Sequence, residues 1–294
     1  MGGLGYSSPV SQPLSTQDHD RRRGGRTYVY PVVSRRARGV SVGINLNPNQ
    51  ACNWRCVYCQ VPGLVFGNAP AIDLGLLERE LREQLAEVLA PGWLERHAPE
   101  GSRRLNDVAL SGDGEPTSSR ALPEVLAIIA RTLEAQALLQ KIRVVLITNG
   151  SLMHLEHVQL AIRRLAQLGG EVWFKLDSAT DRGLVRVNNY AGGSARQARH
   201  LELCARAAPT WIQTCMFAQD GVEPSADEQA AYLAQIEALV RAEVPLRGVH
   251  LYTLARPSRQ PEAPRLKALD GDWLESFAEK IRVRGMPVSV APET

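Results

Sequence analysis

The sequence has no long apolar segment and few cysteines. Its 294 residues contain no run of about 18 apolar residues, the length that crosses a membrane. The N-terminus also lacks the apolar core of a signal peptide, so we expect a cytoplasmic protein that makes no contact with a membrane. Five cysteines, an odd number with three crowded together, are atypical of a secreted disulfide framework. Reduced thiols are therefore expected.

The composition also lacks a strong excess of charge of either sign. A net charge of +3 is too small to indicate a polyanionic partner. Residues 1–26 are rich in Gly, Ser, Gln and Asp and end in several arginines, which predicts a disordered basic tail. Those arginines could contact phosphates, although a solvated tail has the same composition. Residues 27–294 are expected to form a single domain that includes a C-terminal helix.

Six strand-like segments follow from residue 40, each succeeded by a helical apolar pattern. They span 40–47, 107–111, 142–148, 171–177, 210–217 and 246–254. This succession predicts parallel strands with right-handed crossovers, in a barrel or an open doubly wound sheet. Polar residues such as Lys175, Asp177 and Gln213 alternate with apolar ones, which favours a barrel with a polar lumen. We predict an α/β fold, a partial (β/α)6 TIM-type barrel with outer helices.

Three cysteines follow the first of these strands, in the stretch ACNWRCVYCQ. Cys52, Cys56 and Cys59 have the spacing C-x3-C-x2-C and lie where barrel active sites assemble, at the C-terminal mouth. A structural zinc site would need a fourth thiolate or imidazole, and the sequence offers none nearby. Three cysteines can instead bind three irons of a [4Fe-4S] cluster and leave the fourth iron open to another ligand.

The stretch CNWRCVYC, with Tyr58 before the third cysteine, resembles the signature of the radical S-adenosylmethionine (SAM) enzymes. The resemblance covers roughly residues 40 to 255. It implies one [4Fe-4S] cluster on Cys52, Cys56 and Cys59, with SAM bound at the open iron and Tyr58 near the cluster or the adenine. It also implies an electron donor such as a flavodoxin or ferredoxin, and a 5'-deoxyadenosyl radical that abstracts hydrogen from a substrate.

A second segment, SGDGEPT, follows the second strand. Glycines in it let the backbone approach a ligand closely, and its glutamate supplies the anion that a cationic amine needs. The segment resembles the Gly-Gly-Glu motif of the same family, which holds the methionine ammonium of SAM. The residues to which the resemblance assigns this role are Gly112, Asp113, Gly114 and Glu115.

Three further strand ends resemble the family. The third strand ends in ITNGS, the fourth in FKLDS and the sixth in VHLYTLARP. The resemblance implies contacts with SAM or substrate, with the ribose or carboxylate, and with the adenine, respectively. A helix-entry turn, a buried ion pair and a surface arginine would explain the same residues structurally. The candidates are Asn149, Lys175, Asp177, Leu251 and Tyr252, with Arg256 at the mouth.

The two cysteines outside the triad have ordinary explanations. Cys204 lies on the apolar side of a helix, where a small buried thiol is expected. Cys215 is on the polar face of the fifth strand and is a candidate hydrogen-atom donor, although core packing explains it as well. The order of the motifs loosely resembles the tRNA wyosine-synthase-like iron–sulfur oxidoreductases. Those enzymes carry additional N-terminal cysteines for a second cluster, and no cysteine precedes Cys52.

The substrate therefore stays open. Residues 178–195 and 255–267 are expected to form loops at the mouth, and their arginines suit an anionic substrate. RNA or a nucleotide, a peptide or protein, and a small metabolite are the three candidates. The reaction subclass, whether oxidoreductase, transferase or lyase, is equally open. The non-enzymatic alternatives are a zinc-stabilised binding protein and a scaffold.

Overall fold

Strands and helices alternate along the chain. The structure is a computed structural model that describes residues 13–15, 21, 25–34 and 39–291. Its strands are β1 Val29–Ser34, β2 Gly39–Ile44, β3 Ala51–Cys52, β4 Val65–Phe66, β5 Leu105–Leu110, β6 Arg143–Thr148, β7 Glu171–Lys175, β8 Thr210–Cys215, β9 Phe217–Gln219, β10 Leu246–Tyr252, β11 Leu266–Ala268 and β12 Val288–Ala291. Its helices are α1 Leu74–Leu89, α2 Trp93–His97, α3 Leu122–Ala135, α4 Glu156–Gln167, α5 Asp181–Asn188, α6 Ser194–Ala207, α7 Ala226–Arg241 and α8 Gly271–Arg282.

The central sheet has eight strands in the order β1-β2-β5-β6-β7-β8-β10-β12. All neighbours pair in parallel except β1 and β2. The order follows the sequence without reversal, whereas a doubly wound sheet changes direction at a switch point. The prediction of a partial TIM-type barrel is therefore confirmed, with its six strands as β2, β5, β6, β7, β8 and β10.

Two strands of the sheet were not predicted from the sequence. β1 pairs antiparallel with β2 and forms one edge, where Pro31 is tolerated because an edge strand needs no amide donor on its outer side. β12 pairs in parallel with β10 and forms the other edge. Neither is followed by the helical pattern that marks the other strands.

The alternation predicted for the fourth and fifth strands of the barrel is confirmed. Val172, Phe174 and Ile212 are buried in the large core between sheet and helices. Trp173 and Gln213 point the other way and line a cavity on the inner face of the sheet. This second face is the lumen of the partial barrel.

Helix boundaries follow the capping chemistry of the sequence. Asp73 caps α1, its carboxylate accepting from the Leu76 amide. Ser225 and Glu228 form a capping box at the start of α7. The prediction of a loop across residues 178–195 was wrong, because α5 occupies its centre. Thr180 caps this short helix by accepting from the Gly183 amide.

The N-terminal segment is described only in part. Most of residues 1–26 lie outside the described residues, so the disordered basic tail stays a prediction, as does phosphate contact by its arginines. Leu14 is buried in the core, and its amide donates to the His97 carbonyl at 2.7 Å. Arg26 donates to Gln84 at 2.9 Å and pairs with Glu87 on α1. Within the described ranges, no helix is both long and apolar enough to cross a membrane.

Candidate active site

The cysteine loop is fixed from both sides by backbone contacts. On one side the Val57 amide donates to the Val187 carbonyl of α5 at 2.9 Å. On the other side the Arg259 amide donates to the Cys59 carbonyl at 2.8 Å, and the Ser258 hydroxyl donates to the Val57 carbonyl at 2.7 Å. The loop therefore has a defined shape, set by segments far away in sequence.

Cys52, Cys56 and Cys59 line a single cavity of about 280 Å³ at the mouth of the barrel. No disulfide joins them. Two of the sulfurs accept hydrogen bonds: Cys52 from the Trp54 amide at 3.5 Å, and Cys56 from the Asn188 side-chain amide at 3.3 Å. Such N–H donors are the contacts that iron–sulfur clusters receive at their thiolates.

Burial disfavours negative charge on the three thiols of this loop. Burial raises the pKa of all three thiols, that of Cys56 to about 12. Thiolates are therefore costly in this cavity unless a metal centre stabilises them, and coordination deprotonates a thiol outright. In the described part of the chain, no three Cys, His, Asp or Glu side chains converge on one ion position. That geometry is compatible with a cluster, which gives each thiolate its own iron.

The glycine-rich segment lies directly against the cysteine loop. A Cβ atom at Gly114 would stand 2.0 Å from the Ala51 carbonyl oxygen, and one at Gly112 would stand 2.2 Å from the Asn45 side-chain oxygen. Asp113 between them accepts from Asn45 at 2.6 Å and from Arg21 at 2.8 Å. The absence of side chains at the two glycines is what allows this segment and the cysteine loop to share one cavity.

Replacing Gly114 with alanine should therefore separate the two loops. The neighbouring atom is backbone and cannot rotate away, so we expect the free energy of unfolding to fall by about 1–3 kcal/mol and the iron content to drop. Urea unfolding and iron analysis measure the two effects. Gly101→Ala is the matched control, because nothing lies within 4 Å of its new Cβ. Equal behaviour of the two variants would contradict the close approach.

Glu115 is buried at the junction of β5 and β6. Its carboxylate accepts from the Thr117 amide and hydroxyl at 3.1 and 2.6 Å, from the Thr148 hydroxyl at 2.6 Å and from the Asn149 amide at 2.7 Å. Burial raises its pKa, while these donors lower it. Glu115 also lines the cavity. It therefore joins two strand ends, and its contact with the methionine ammonium stays a prediction.

The strand-end candidates divide into two groups. Asn149, Lys175 and Tyr252 line the cavity. Asp177 does not, and its carboxylate is occupied by the Tyr58 hydroxyl, by the Asn188 amide at 2.8 Å and by the Cys215 backbone amide at 3.0 Å. Its geometry is that of a residue that orients its neighbours. The predicted SAM contacts of all four stay predictions.

Two other candidates are Tyr58 and Leu251. Tyr58 lines the cavity, and the Lys175 ammonium lies 4.9 Å from its ring centroid. Burial lowers the pKa of Lys175, but Tyr252, Asp177 and Cys56 outweigh this and leave it raised, so the side chain is a cation. Leu251 is buried in the helix-side core and does not line the cavity. Its backbone alone could approach an adenine, as the sequence suggested.

The two remaining cysteines differ in setting. Cys204 is buried in the helix-side core, 3.5 Å from the Thr210 hydroxyl, as expected for a packing residue. Cys215 is buried but lines the cavity. Arg256 also lines it and donates to Gln60 at 3.3 Å. Of the other mouth arginines, Arg186 is paired with Glu228, so it contributes less charge to the mouth than the sequence suggested.

Sequence reasoning missed two residues of the site. Asn188 was placed in a loop, although its side chain contacts both Cys56 and Asp177. Arg21 was placed in the tail, yet it lines the cavity and pairs with Asp113. Neither contact has a local sequence signal. Asn188 is a polar residue at the end of a short helix, and Arg21 is one of several arginines in its segment.

Replacing Asn188 with leucine should make the midpoint potential of a cluster on these cysteines more negative. Its N–H donor disperses negative charge on the Cys56 sulfur, and this stabilises the reduced form. A redox titration followed by electron paramagnetic resonance measures the shift in reconstituted protein. Asn68→Leu, an exposed asparagine, is the control. An unchanged potential in Asn188→Leu would show that the contact is not made in the loaded protein.

Three cysteine thiols at the mouth of a partial barrel are typical of an enzyme that binds a metal cofactor. The family model described as the Radical SAM superfamily matches residues 46–224. The chain belongs to this superfamily, and it is an enzyme that uses a [4Fe-4S] cluster and SAM.

Individual relatives are distant. UPF0026 protein slr1464 of Synechocystis is 26% identical over 286 residues, which are 90% of this chain and 96% of that protein. GTPase Obg of Brachyspira hyodysenteriae is 27% identical over 134 residues, 44% of this chain, and the match spans only 16% of that protein. A structure of TYW1 with a lysine-pyruvate adduct bound superposes with a TM-score of 0.55 at 16% identity, covering 84% of this chain and 74% of that one. This last likeness supports the fold alone.

Proposed function

We propose that the chain cleaves SAM reductively and uses the resulting 5'-deoxyadenosyl radical to take a hydrogen atom from a nucleotide or RNA substrate. SAM cleavage is supported by one observation: Cys52, Cys56 and Cys59 line the same cavity as the segment around Glu115. A bound cluster would supply one electron, received from a low-potential donor such as a flavodoxin or ferredoxin, to the sulfonium of SAM.

The roles of this chain's own residues follow from their positions. The three cysteines hold the cluster, and Asn188 donates to one of their sulfurs. The backbone of residues 112–114 and the Glu115 carboxylate receive the methionine end of SAM. Trp54 and Tyr58 line the same cavity and exclude water from it. Lys175 supplies a positive charge to a ribose or carboxylate group.

The nucleotide half of the proposal is supported by the cavity wall. Arg256 lines the mouth, where a phosphate would lie. Arg21 lies there as well, and Asp113 pairs with part of its charge. Peptide and small-metabolite substrates stay as alternatives. The electron donor and a cytoplasmic location likewise stay predictions.

The first experiment is anaerobic purification followed by quantification of iron and sulfide, then incubation with SAM and dithionite. We expect about four irons per chain and formation of 5'-deoxyadenosine. A protein with no cluster, or with a reducible cluster that yields no 5'-deoxyadenosine, would refute the proposed chemistry. Binding of labelled tRNA at low salt tests the substrate class separately, and indifference to tRNA would contradict an RNA substrate.

A further inference from the structure

The cavity extends below the cysteine loop into the lumen. Gln213 precedes Cys215 by two residues on β8, so it lies about 7 Å deeper along the strand. Side chains from five strands line this lower part: Ser41, Ala109, Val145, Trp173 and Gln213. The residues assigned to SAM and the cluster lie above it, at the strand ends and in the loops that follow. The lower part is therefore available to a different group.

Gln213 is a buried polar residue of this lower wall, and its side-chain amide is not fully hydrogen-bonded. Its side chain is 1% exposed, and its Nε2 atom has no hydrogen-bond partner among the residues that the structure describes. Other buried amide nitrogens near the site have partners: Gln197 Nε2 donates to the Asn149 carbonyl at 2.6 Å, and Gln260 Nε2 to the Val61 carbonyl at 2.9 Å. A buried amide without a partner costs desolvation free energy, which a ligand would recover.

The wall beside Gln213 is flat and aromatic. Trp173 is 3% exposed and is held in place by its Nε1 atom, which donates to Glu171 at 3.0 Å. The Trp173 ring packs with Ala109 and Val145, and its centroid lies 4.9 Å from that of the His250 ring. An aromatic surface next to an amide that can both donate and accept is the combination that proteins use to hold an unstacked base.

We infer that the lumen around Gln213 and Trp173 binds one nucleobase of the substrate, with its ring against Trp173 and its edge paired to the Gln213 amide. This rests on the proposed nucleotide substrate and adds the position and recognition of the base. A glutamine amide pairs well with a base edge that carries an adjacent donor and acceptor, as adenine does. The sugar and phosphate would then lie toward Arg21 and Arg256 at the mouth, and SAM above the base.

A peptide amide could also pair with Gln213, but it has no aromatic ring to pack against the tryptophan side of the lumen. A nucleotide substrate and a peptide substrate would therefore place different groups beside Gln213. Small probes separate them without requiring that the full substrate be known. The probes are adenosine, guanosine, cytidine and uridine, with N-acetylglycinamide as the peptide probe.

The experiment measures binding of each probe to the full chain with its cluster reconstituted and SAM saturating, so that the SAM site itself is filled. Equilibrium dialysis gives the affinities. We expect one nucleoside to bind in preference to the others and to N-acetylglycinamide. Gln213→Leu should weaken that binding about tenfold or more, the size of a lost bidentate base contact.

Gln213→Glu keeps the volume of the side chain and replaces a donor by an acceptor, so it should change the order of preference among the nucleosides. A structural role alone would not change that order. Gln229→Leu, on α7 away from the cavity, should bind as the natural protein does. Equal affinities in the natural protein and both Gln213 variants, or preference for N-acetylglycinamide, would overturn the inference. SAM cleavage by the same preparation reports separately on the proposed function.

Discussion

Replacing Cys56 with alanine should give a protein that forms no 5'-deoxyadenosine and loses most of its iron. The sulfur of Cys56 lies in a cavity wall shared with Cys52 and Cys59, and the Asn188 amide points at it. Without this thiolate one iron has no protein ligand, and the chain offers no other cysteine in the loop to replace it. Iron and sulfide analysis after anaerobic reconstitution, with chromatography of the SAM products, measures both losses.

Cys204→Ala is the matched control for this variant. Its thiol is buried in the helix-side core, and it lies far along the chain from the three cysteines of the loop. We expect full iron content and SAM cleavage, with a loss of about 1 kcal/mol in the free energy of unfolding. Retention of cluster and cleavage in Cys56→Ala, or their loss in Cys204→Ala, would contradict the assignment of ligands.

The alternation of strands and helices could be predicted because each element has its own pattern of apolar residues within a short stretch of sequence. Each of the six barrel strands is a short apolar segment followed by a helical pattern, and the residues on β7 and β8 alternate between core and lumen. The spacing of the cysteines is equally local. Thus the position of the cysteine loop after β2, at the mouth, followed from the sequence alone.

The contacts that complete the site could not be predicted in this way. Asn188 and Cys56 are 132 residues apart, and Arg21 and Asp113 are 92 apart. Only the folded barrel brings such pairs together. α5 was missed because it has two turns and contains Gly183, which lowers its helical propensity. Its stability comes from tertiary contacts, including the one from its Val187 carbonyl to the Val57 amide.

Glu115 has a structural role besides the one that its motif predicts. The sequence predicts an anion for the methionine ammonium. The structure adds four donors from Thr117, Thr148 and Asn149 to the same carboxylate. Because these donors belong to two strand ends, the carboxylate also fixes the shape of the cavity. Loss of Glu115 should therefore affect both stability and SAM binding.

Glu115→Gln tests this double role. The amide keeps one acceptor oxygen but turns a donor toward the Asn149 amide or the threonine groups. We expect the free energy of unfolding to fall by about 3 kcal/mol, because a buried donor is left without a partner. Glu124→Gln, on the exposed side of α3, should change it by less than about 0.5 kcal/mol. Urea unfolding of the apoprotein measures this effect free of cofactor.

A second variant separates the structural role from the binding role. Thr117→Val removes one donor to Glu115 but leaves the carboxylate in place, and Thr117 does not line the cavity. It should lower stability while retaining SAM affinity in equilibrium dialysis with reconstituted protein. Glu115→Gln should lose both, since it alone removes the negative charge that attracts the ammonium. If the two variants lose SAM affinity equally, Glu115 acts only by holding the strand ends together, and another group must receive the methionine.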